Sequence, residues 1–207
     1  RGEIIPSHTQ ALSMIPGIEL VAVCDLIPKI LNDFKKNWSQ RWPETRLYAD
    51  YKEMLDNECI DILVVATPDN VHTPIVLDGV AAGVKGILCE KPLATSLEDA
   101  DLMIDSCEAK GVVLNVDHTR RWSPIFHKVR DTIRTGGIGQ ISTIVANLGG
   151  PRAMLFRNGT HLIDAMCFFA EAEPYRVFAH LEEGFDNWDR YRGDGGTLPE
   201  KDPGATG

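Results

Sequence analysis

Short apolar runs rich in valine and isoleucine alternate with helical patterns between Ile18 and Val116. These runs are continuous instead of alternating with polar residues, which is typical of parallel strands covered by helices on both faces. Strands that alternate with helices in this way predict a doubly wound α/β sheet. The predicted strands are Ile18–Cys24, Ile60–Ala66, Val84–Cys89 and Val112–Val116, with a weaker one at Arg46–Ala49.

Capping residues predict the ends of two helices between these strands. Thr73 and Pro74 predict an N-cap and a first-turn proline, and Gly83 predicts the end of that helix. Ser96, with two acids in the turn after it, predicts the start of the next helix, and Gly111 predicts its end. The apolar stripe expected on this second helix consists of Leu97, Ala100, Met103, Ile104 and Cys107.

The pattern changes after Arg120, where alternation replaces the continuous apolar runs. Alternation predicts a sheet with one solvated face, and hence a second domain of α+β type. We therefore expect a dinucleotide-binding domain at 1–119 and a substrate domain at 120–207. The predicted elements of the second domain are a helix at 123–134, a strand at Ile138–Leu148, a helix at Thr160–Ala170 and a strand at Tyr175–Leu181.

Charge and cysteine usage narrow the class of protein. A formal net charge of −9 disfavours a nucleic-acid partner, because neutralising phosphates requires clustered lysine and arginine. Clean apolar runs such as Ile62–Ala66, of five residues, are far shorter than a bilayer span requires, so no membrane span is expected. Five cysteines without a C-x-x-C pair favour reduced thiols and a cytoplasmic location.

Both ends of the chain favour a fragment. The sequence opens with Arg1 in place of methionine and runs into a helix with no strand before it, and its last residues, 201–207, read as a loop. A first strand and most of a glycine-rich phosphate-binding turn are therefore expected to be missing, and Arg1–Gly2 would be the tail of that turn.

Asp25 follows the strand predicted at Ile18–Cys24, which would be the second strand of the complete fold, and lies about 20 residues beyond the expected glycine-rich turn. A carboxylate at this place hydrogen-bonds the adenosine ribose of a dinucleotide. Leu26 and Ile27 follow it, so no cation is adjacent to pair with a 2′-phosphate, which favours NAD over NADP. The alternative interpretation is a helix N-terminal aspartate before Pro28.

Lys91 stands at the end of a predicted strand, between Glu90 and Pro92. In open α/β sheets ligands bind at the carboxyl ends of the strands, where Thr67 and Pro68 also lie. An ammonium there can polarise a hydroxyl or stabilise the oxyanion that develops during hydride transfer. The alternative is an ordinary surface lysine.

His161 and Asp164 lie three residues apart, on one face of a predicted helix. A neutral imidazole there can accept a hydroxyl proton as a hydride leaves the same carbon. Together with Cys167 the pair resembles metal-ligand spacing, but no second cluster completes a tetrahedral site, so no metal is predicted. The structural alternative is a histidine and an aspartate that bond each other inside the domain.

The order of these motifs resembles the Gfo/Idh/MocA family, named for glucose–fructose oxidoreductase, inositol dehydrogenase and rhizopine catabolism. The resemblance covers nearly the whole chain to about Leu181, and the Glu-Lys-Pro motif after a Thr-Pro…His strand end is its most specific part. The matching segments are Ile18–Asp25, Asp61–His72, Leu88–Ala94, Gly137–Gly139 and Gly159–Asp164.

The resemblance implies a Rossmann domain followed by a domain with a large, mostly antiparallel sheet. It implies NAD as the cofactor, a small polyol or sugar as the substrate, and a homo-oligomer. Lys91 is implied to be catalytic, with His161 as the acid/base and Asp164 as its neighbour, and Arg121 is carried over as a substrate residue. The implied cofactor residues are Asp25, Thr67, Pro68, His72, Glu90 and Lys91.

One position departs from the family pattern. Many dehydrogenases of the family carry an aspartate four residues before the histidine, and here that residue is Arg157. A cation there would repel Lys91 if both point inward, hold an anionic substrate such as a uronate, or point to solvent. The departure leaves the substrate class open between sugars, cyclitols and sugar acids.

Three functions follow from the resemblance. The first is an NAD-dependent dehydrogenase acting on a secondary alcohol. The second is a glycoside hydrolase that uses tightly bound NAD for transient oxidation. The third is a non-catalytic dinucleotide sensor, which the presence of both Lys91 and His161 disfavours.

Overall fold

The computed structural model of the chain describes residues 7–149, 158–181, 183 and 205–206. Helices and strands alternate through the first part of these residues. The helices are α1 (His8–Ser13), α2 (Pro28–Trp38), α3 (Tyr51–Asn57), α4 (His72–Ala82), α5 (Leu97–Lys110), α6 (Pro124–Arg134) and α7 (Gly159–Ala170), with 3₁₀ turns at Asp69–Val71 and Thr119–Trp122. The strands are β1 (Ala22–Cys24), β2 (Arg46–Tyr48), β3 (Ile62–Val65), β4 (Gly86–Cys89), β5 (Val113–Val116), β6 (His180–Leu181) and β7 (Ala205–Thr206).

Parallel sheets with helices between their strands form the first half of the chain, as the alternating pattern predicts. Strand β1 pairs with β2, and β4 lies between β3 and β5. Val65, Cys89 and Val116 are in register at the carboxyl ends of β3, β4 and β5. The residues that follow these strands therefore leave the sheet at one common edge.

Strand β1 is shorter than the apolar run predicts, because side chains take the hydrogen bonds that a neighbouring strand would make. Trp42 donates its indole N–H to the carbonyl oxygen of Ile18 at 3.4 Å, and Thr45 donates its hydroxyl to Leu20 at 2.7 Å. Only Ala22–Cys24 remains paired with β2.

The hydrophobic core lies between the sheet and helices α3, α4 and α5, and includes Val65, Val76 and Met103. The predicted stripe of α5 is only partly confirmed, since Met103 and Cys107 are buried whereas Leu97 is 79% exposed and Ile104 39% exposed. Met103 and Cys107 are four residues apart, so they lie one above the other on a narrow face of the helix. Ile104 lies to one side of this face, and Leu97 is the first residue of α5.

The predicted helix ends are confirmed at three of four caps. Gly83 and Gly111 adopt left-handed φ angles of 85° and 68° after α4 and α5. Ser96 accepts the N–H of Asp99 at the start of α5. The N-cap prediction for Thr73 is wrong, because the N-cap of α4 is Val71, two residues earlier, and the Thr73 hydroxyl lies 3.4 Å from the sulfur of Met103.

Helices α6 and α7 pack together in the second half, where Phe126 and Phe169 stack with ring centroids 5.4 Å apart. The predicted strand at Ile138–Leu148 is wrong, since none of these residues is in a strand. A strand needs a hydrogen-bonded partner, and the described part of the chain supplies none for this segment. The strand predicted at Tyr175–Leu181 shortens to β6, which pairs antiparallel with β7.

All five cysteines are free thiols. Among the helices that the structure describes, none combines the length and the apolar character that a membrane crossing requires.

Candidate active site

The carboxyl ends of β4 and β5 bring two acidic side chains to the same edge of the sheet. The N–H of Glu90 donates to the carbonyl of Val65 at 2.8 Å, and the N–H of Asp117 donates to that of Cys89 at 2.8 Å. These bonds extend the parallel ladders by one residue and place the acids side by side. This is the edge at which open α/β sheets bind their ligands.

His8, the first residue of α1, reaches this edge. Its Nε2 lies 3.1 Å from Oε1 of Glu90 and 3.9 Å from Oδ2 of Asp117. The bond to Glu90 raises the pKa of His8 and lowers that of Glu90, while burial raises the pKa of Asp117. The contact thus favours the charged forms of His8 and Glu90, whereas burial disfavours the charged form of Asp117.

Lys91 follows directly, and its backbone is tied to the same acid. Its N–H donates to Oε2 of Glu90 at 3.1 Å. Glu90 thus connects His8 through one oxygen with the main chain of Lys91 through the other. The half-buried Lys91 begins the loop that leaves β4.

One group of potential metal ligands is present within the described residues. One ligand atom from each of His8, Glu90 and Asp117 lies within 4.8 Å of the others. The set differs from the His161, Asp164 and Cys167 spacing considered from the sequence.

Thr67 and Pro68 follow β3 and are exposed, whereas His72 is fully buried. His72 Nε2 lies 2.9 Å from the carbonyl oxygen of Thr67, and Nδ1 lies 3.1 Å from the carbonyl oxygens of both Pro92 and Leu93. The ring of His72 therefore lies between the loop after β3 and the loop after Lys91.

Asp25 follows β1 and closes the turn into α2. Its N–H donates to the carbonyl of Tyr48 at 3.1 Å, and its Oδ1 accepts the N–H of Ile27 at 2.7 Å. The N-cap position of α2 is Ile27, so Asp25 lies two residues outside it. The half-exposed carboxylate remains at the strand end expected of a ribose ligand.

Asp164 on α7 bonds to the segment that leaves β5 and not to His161. Oδ1 of Asp164 accepts a hydrogen bond from Nε of Arg121 at 2.7 Å, and Nδ1 of His118 lies 3.6 Å from the same oxygen. Nδ1 of His161 and Oδ2 of Asp164 are buried without a hydrogen-bond partner among the described residues. The structural pair of His161 with Asp164 is therefore not formed.

His161 lies in a positively charged environment. Burial lowers its pKa, and the charges of Lys91, Arg120 and His118 lower it further. The rings of His118 and His161 meet edge to face with centroids 5.9 Å apart. A neutral imidazole, the form that accepts a proton, is favoured at this position.

Two arginines, Arg121 and Arg157, are candidate substrate residues from the sequence, and the structure describes only the first of them. Besides its ion pair with Asp164, Arg121 places its guanidinium 5.5 Å from the ring centroid of Phe168. Its guanidinium is thus paired with Asp164, although the Arg121 side chain is 44% exposed. Arg157 lies outside the described residues, as does the Arg1–Gly2 segment.

Sequence reasoning missed His8 and did not assign roles to Asp117 and His118. The latter two follow a predicted strand, and that position at the sheet edge is the signal that points to them. No spacing relates His8 to Glu90, because the two residues are 82 positions apart.

Comparison with known proteins agrees with this architecture. The Gfo/Idh/MocA family model, described as an oxidoreductase family with an NAD-binding Rossmann fold, matches residues 1–118. D-apiose dehydrogenase of Paraburkholderia graminis is 37% identical over 133 residues, which cover 64% of this chain and 34% of that protein. Myo-inositol 2-dehydrogenase of Thermotoga maritima is 29% identical over 139 residues, 67% of this chain and 40% of that protein.

A solved structure extends the match beyond the first half. A probable dehydrogenase from Thermotoga maritima superposes with a TM-score of 0.71 at 26% identity, covering 87% of this chain and 56% of that one. The chain thus spans between a third and three fifths of the length of these relatives. By its family match and its parallel α/β architecture, the chain belongs to the Gfo/Idh/MocA family of oxidoreductases with an NAD-binding Rossmann fold.

Proposed function

We propose that this chain is part of an NAD-dependent dehydrogenase that oxidises a secondary alcohol of a sugar, a cyclitol or a sugar acid. In this proposal residues 1–119 bind the dinucleotide and residues 120–207 contribute to the substrate site. The dehydrogenases of apiose and inositol among the relatives support this substrate range.

The proposal rests mainly on the contact between α7 and the segment leaving β5. The ion pair of Arg121 with Asp164 and the ring contact of His118 with His161 hold α7 there. His161 is thereby close enough to Lys91 for the lysine charge to lower its pKa. The ammonium group of Lys91, from the first half of the chain, and the neutral imidazole of His161, from the second half, are then close enough to interact.

Lys91 and His161 divide the chemistry of alcohol oxidation between them. The Lys91 ammonium stabilises the substrate oxygen as negative charge develops on it. The neutral imidazole of His161 accepts the hydroxyl proton as the C–H bond breaks. NAD, when bound, supplies the hydride acceptor, and the products are a ketone and a reduced nicotinamide.

The residues at the sheet edge fit a dinucleotide. The half-exposed carboxylate of Asp25 would accept the adenosine ribose hydroxyls, and Thr67 and Pro68 offer exposed surface beside β3. Glu90 would hold Lys91 near the nicotinamide. Because no cation directly follows Asp25, we propose NAD over NADP.

The cellular setting is part of the proposal. Five free thiols fit a reducing compartment, and we propose the cytoplasm. Assembly into a homo-oligomer is also proposed, on the family resemblance alone.

A substrate screen tests the function. The full-length protein is mixed with NAD and panels of polyols, aldoses and uronates, and reduced nicotinamide is followed by absorbance. Turnover of at least one panel member is expected, and His161→Asn is expected to abolish most of it. Absence of turnover with every panel, despite measurable NAD binding, would refute the dehydrogenase and favour a sensor.

A further inference from the structure

The ring of His72 is the most enclosed imidazole in the described part of the chain, with 0% of the residue exposed. It begins α4, directly after the 3₁₀ turn Asp69–Val71. Its ring nitrogens face three main-chain oxygens, of Thr67 at 2.9 Å and of Pro92 and Leu93 at 3.1 Å each.

All three of these partners are hydrogen-bond acceptors. A carbonyl oxygen has no hydrogen to give, whereas a neutral imidazole offers one N–H and one acceptor nitrogen. In a neutral ring, one nitrogen lone pair would therefore face a carbonyl lone pair at about hydrogen-bond distance. Only a ring with hydrogen on both nitrogens turns both sides into hydrogen bonds.

The surroundings of His72 suit a two-donor ring. Charge-assisted N–H···O bonds are stronger than neutral ones, and three carbonyl dipoles point at this ring. Hydrogen bonds to these three carbonyl oxygens offset part of the cost of removing a charged ring from water.

The two loops held by the ring carry residues assigned above to the site. Thr67 follows β3 and precedes Pro68, while Pro92 and Leu93 follow Lys91 directly. The carbonyls of the two loops are five and 20–21 residues from His72 in sequence, so the ring connects segments that no local structure joins.

We propose that His72 is a positioning residue that, through N–H groups on both ring nitrogens, clips the loop after β3 to the loop after Lys91. The clip fixes the main chain at Pro92 and so holds Lys91 against the cofactor groove. The connection between the loops is inferred from the hydrogen bonds of His72 alone, whereas the effect of this connection on catalysis rests on the proposed function.

The first test measures the ring itself. In full-length protein labelled with ¹⁵N at histidine, ring ¹⁵N spectra at neutral pH are assigned with a His72→Phe variant. Two directly bonded N–H groups, both slow to exchange with solvent, are expected for His72. A single N–H, with the other nitrogen unprotonated, would overturn the two-donor clip without any reference to activity.

The second test measures the loops and the reaction with His72→Phe, and uses Val76→Ala as a matched control. Val76 is also fully buried on α4, one turn after His72, but it belongs to the hydrophobic core and its side chain has no group that could hydrogen-bond the loop carbonyls. His72→Phe is expected to speed amide hydrogen exchange around 66–68 and 90–95 and to lower kcat about 100-fold, the scale of a 1 Å misplacement. Val76→Ala is expected to lower stability while the kcat of its folded fraction stays the same.

The outcomes separate the two proposals. Equal loop exchange in both variants, or equal kcat in folded His72→Phe and wild type, would reduce His72 to a packing residue. If the wild type oxidises no polyol, the proposed function fails, and the ring spectra and the exchange data still decide whether the clip exists. If His72→Phe does not fold, the ring spectra are assigned through ¹³C–¹⁵N correlations of the wild type.

Discussion

Arg121 and Asp164 join the two halves of the chain through a hydrogen bond of 2.7 Å between Nε and Oδ1. Arg121 belongs to the 3₁₀ turn after β5, and Asp164 belongs to α7. The carboxylate of Asp164, which the sequence predicts to neighbour His161, thus accepts a hydrogen bond from Arg121 instead. Asp164 therefore ties α7 to the 3₁₀ turn after β5. The pKa of His161 is lowered by burial and by the surrounding cations.

Lys91→Ala is expected to remove most turnover and to leave NAD binding intact. Removing one group that stabilises a developing oxyanion costs about 100- to 1,000-fold in kcat. Steady-state kinetics on a substrate from the screen give kcat, and titration of protein fluorescence gives the Kd for NAD. A parallel loss of NAD affinity would make Lys91 a cofactor anchor, contrary to the role assigned to it.

Asp25→Asn is expected to reduce the preference for NAD over NADP. The amide oxygen can still accept the N–H of Ile27, so the turn into α2 persists, but the charge that repels a 2′-phosphate is gone. The measurement is the ratio of kcat/KM for the two cofactors, expected to fall about tenfold, which corresponds to about 1.4 kcal/mol. Comparable kcat/KM values for NAD and NADP in the wild type would remove the argument from Asp25.

The pH profile of kcat/KM is expected to show an acid limb below pH 6.5, because burial and the nearby cations lower the pKa of His161 from that value. A base with a lowered pKa stays neutral, and hence active, to lower pH. Arg120→Gln removes one of these cations and should move the limb to higher pH. Arg134→Gln, at the end of α6, serves as the control and should leave the limb in place.

His8→Gln is expected to reduce stability more at acid than at alkaline pH. Glu90 raises the pKa of His8, so the stabilisation from this contact is fully present below the ordinary value of 6.5 and is lost as the pH rises through the raised one. Urea unfolding at several pH values measures the difference between variant and wild type. His180→Gln, an exposed histidine of β6, provides the control, and a pH-independent difference for His8→Gln would argue against the ion pair.

Met103→Ala and Leu97→Ala form a matched pair on α5. Met103 is fully buried, so truncation should lower the free energy of unfolding by about 2–5 kcal/mol. Leu97 is 79% exposed, and its truncation should cost less than about 0.5 kcal/mol. Urea denaturation measures the free energy of unfolding of both variants. Equal losses of this free energy would support the broader apolar stripe that the sequence predicts for α5.

The sequence predicts best those features that depend on neighbouring residues. The left-handed glycines after α4 and α5 and the Ser96 cap were predictable because each needs only a local conformation and one nearby partner. The strand expected at Ile138–Leu148 failed because alternation reports which side of a strand would be buried, and not whether a partner strand exists.

In the candidate site, too, the sequence predicts local features and misses contacts between distant residues. The positions of Glu90 and Lys91 at a strand end were predictable because both follow an apolar run. The contact of His8 with Glu90 depends on the position of His8 relative to the sheet edge, and no residue pattern reports a pairing across 82 positions. That Asp164 accepts a hydrogen bond from Arg121 and not from His161 likewise depends on side-chain geometry, which the sequence does not report.

The oxygens that His72 faces belong to the main chain, which every amino acid supplies. Exchanging the side chains of Thr67 and Leu93 thus leaves these acceptors in place. Substitutions in these two loops can therefore alter their side chains without removing the atoms to which the histidine bonds. The distance between the loops then depends on one imidazole and on the course of the backbone, and not on the identity of the loop residues.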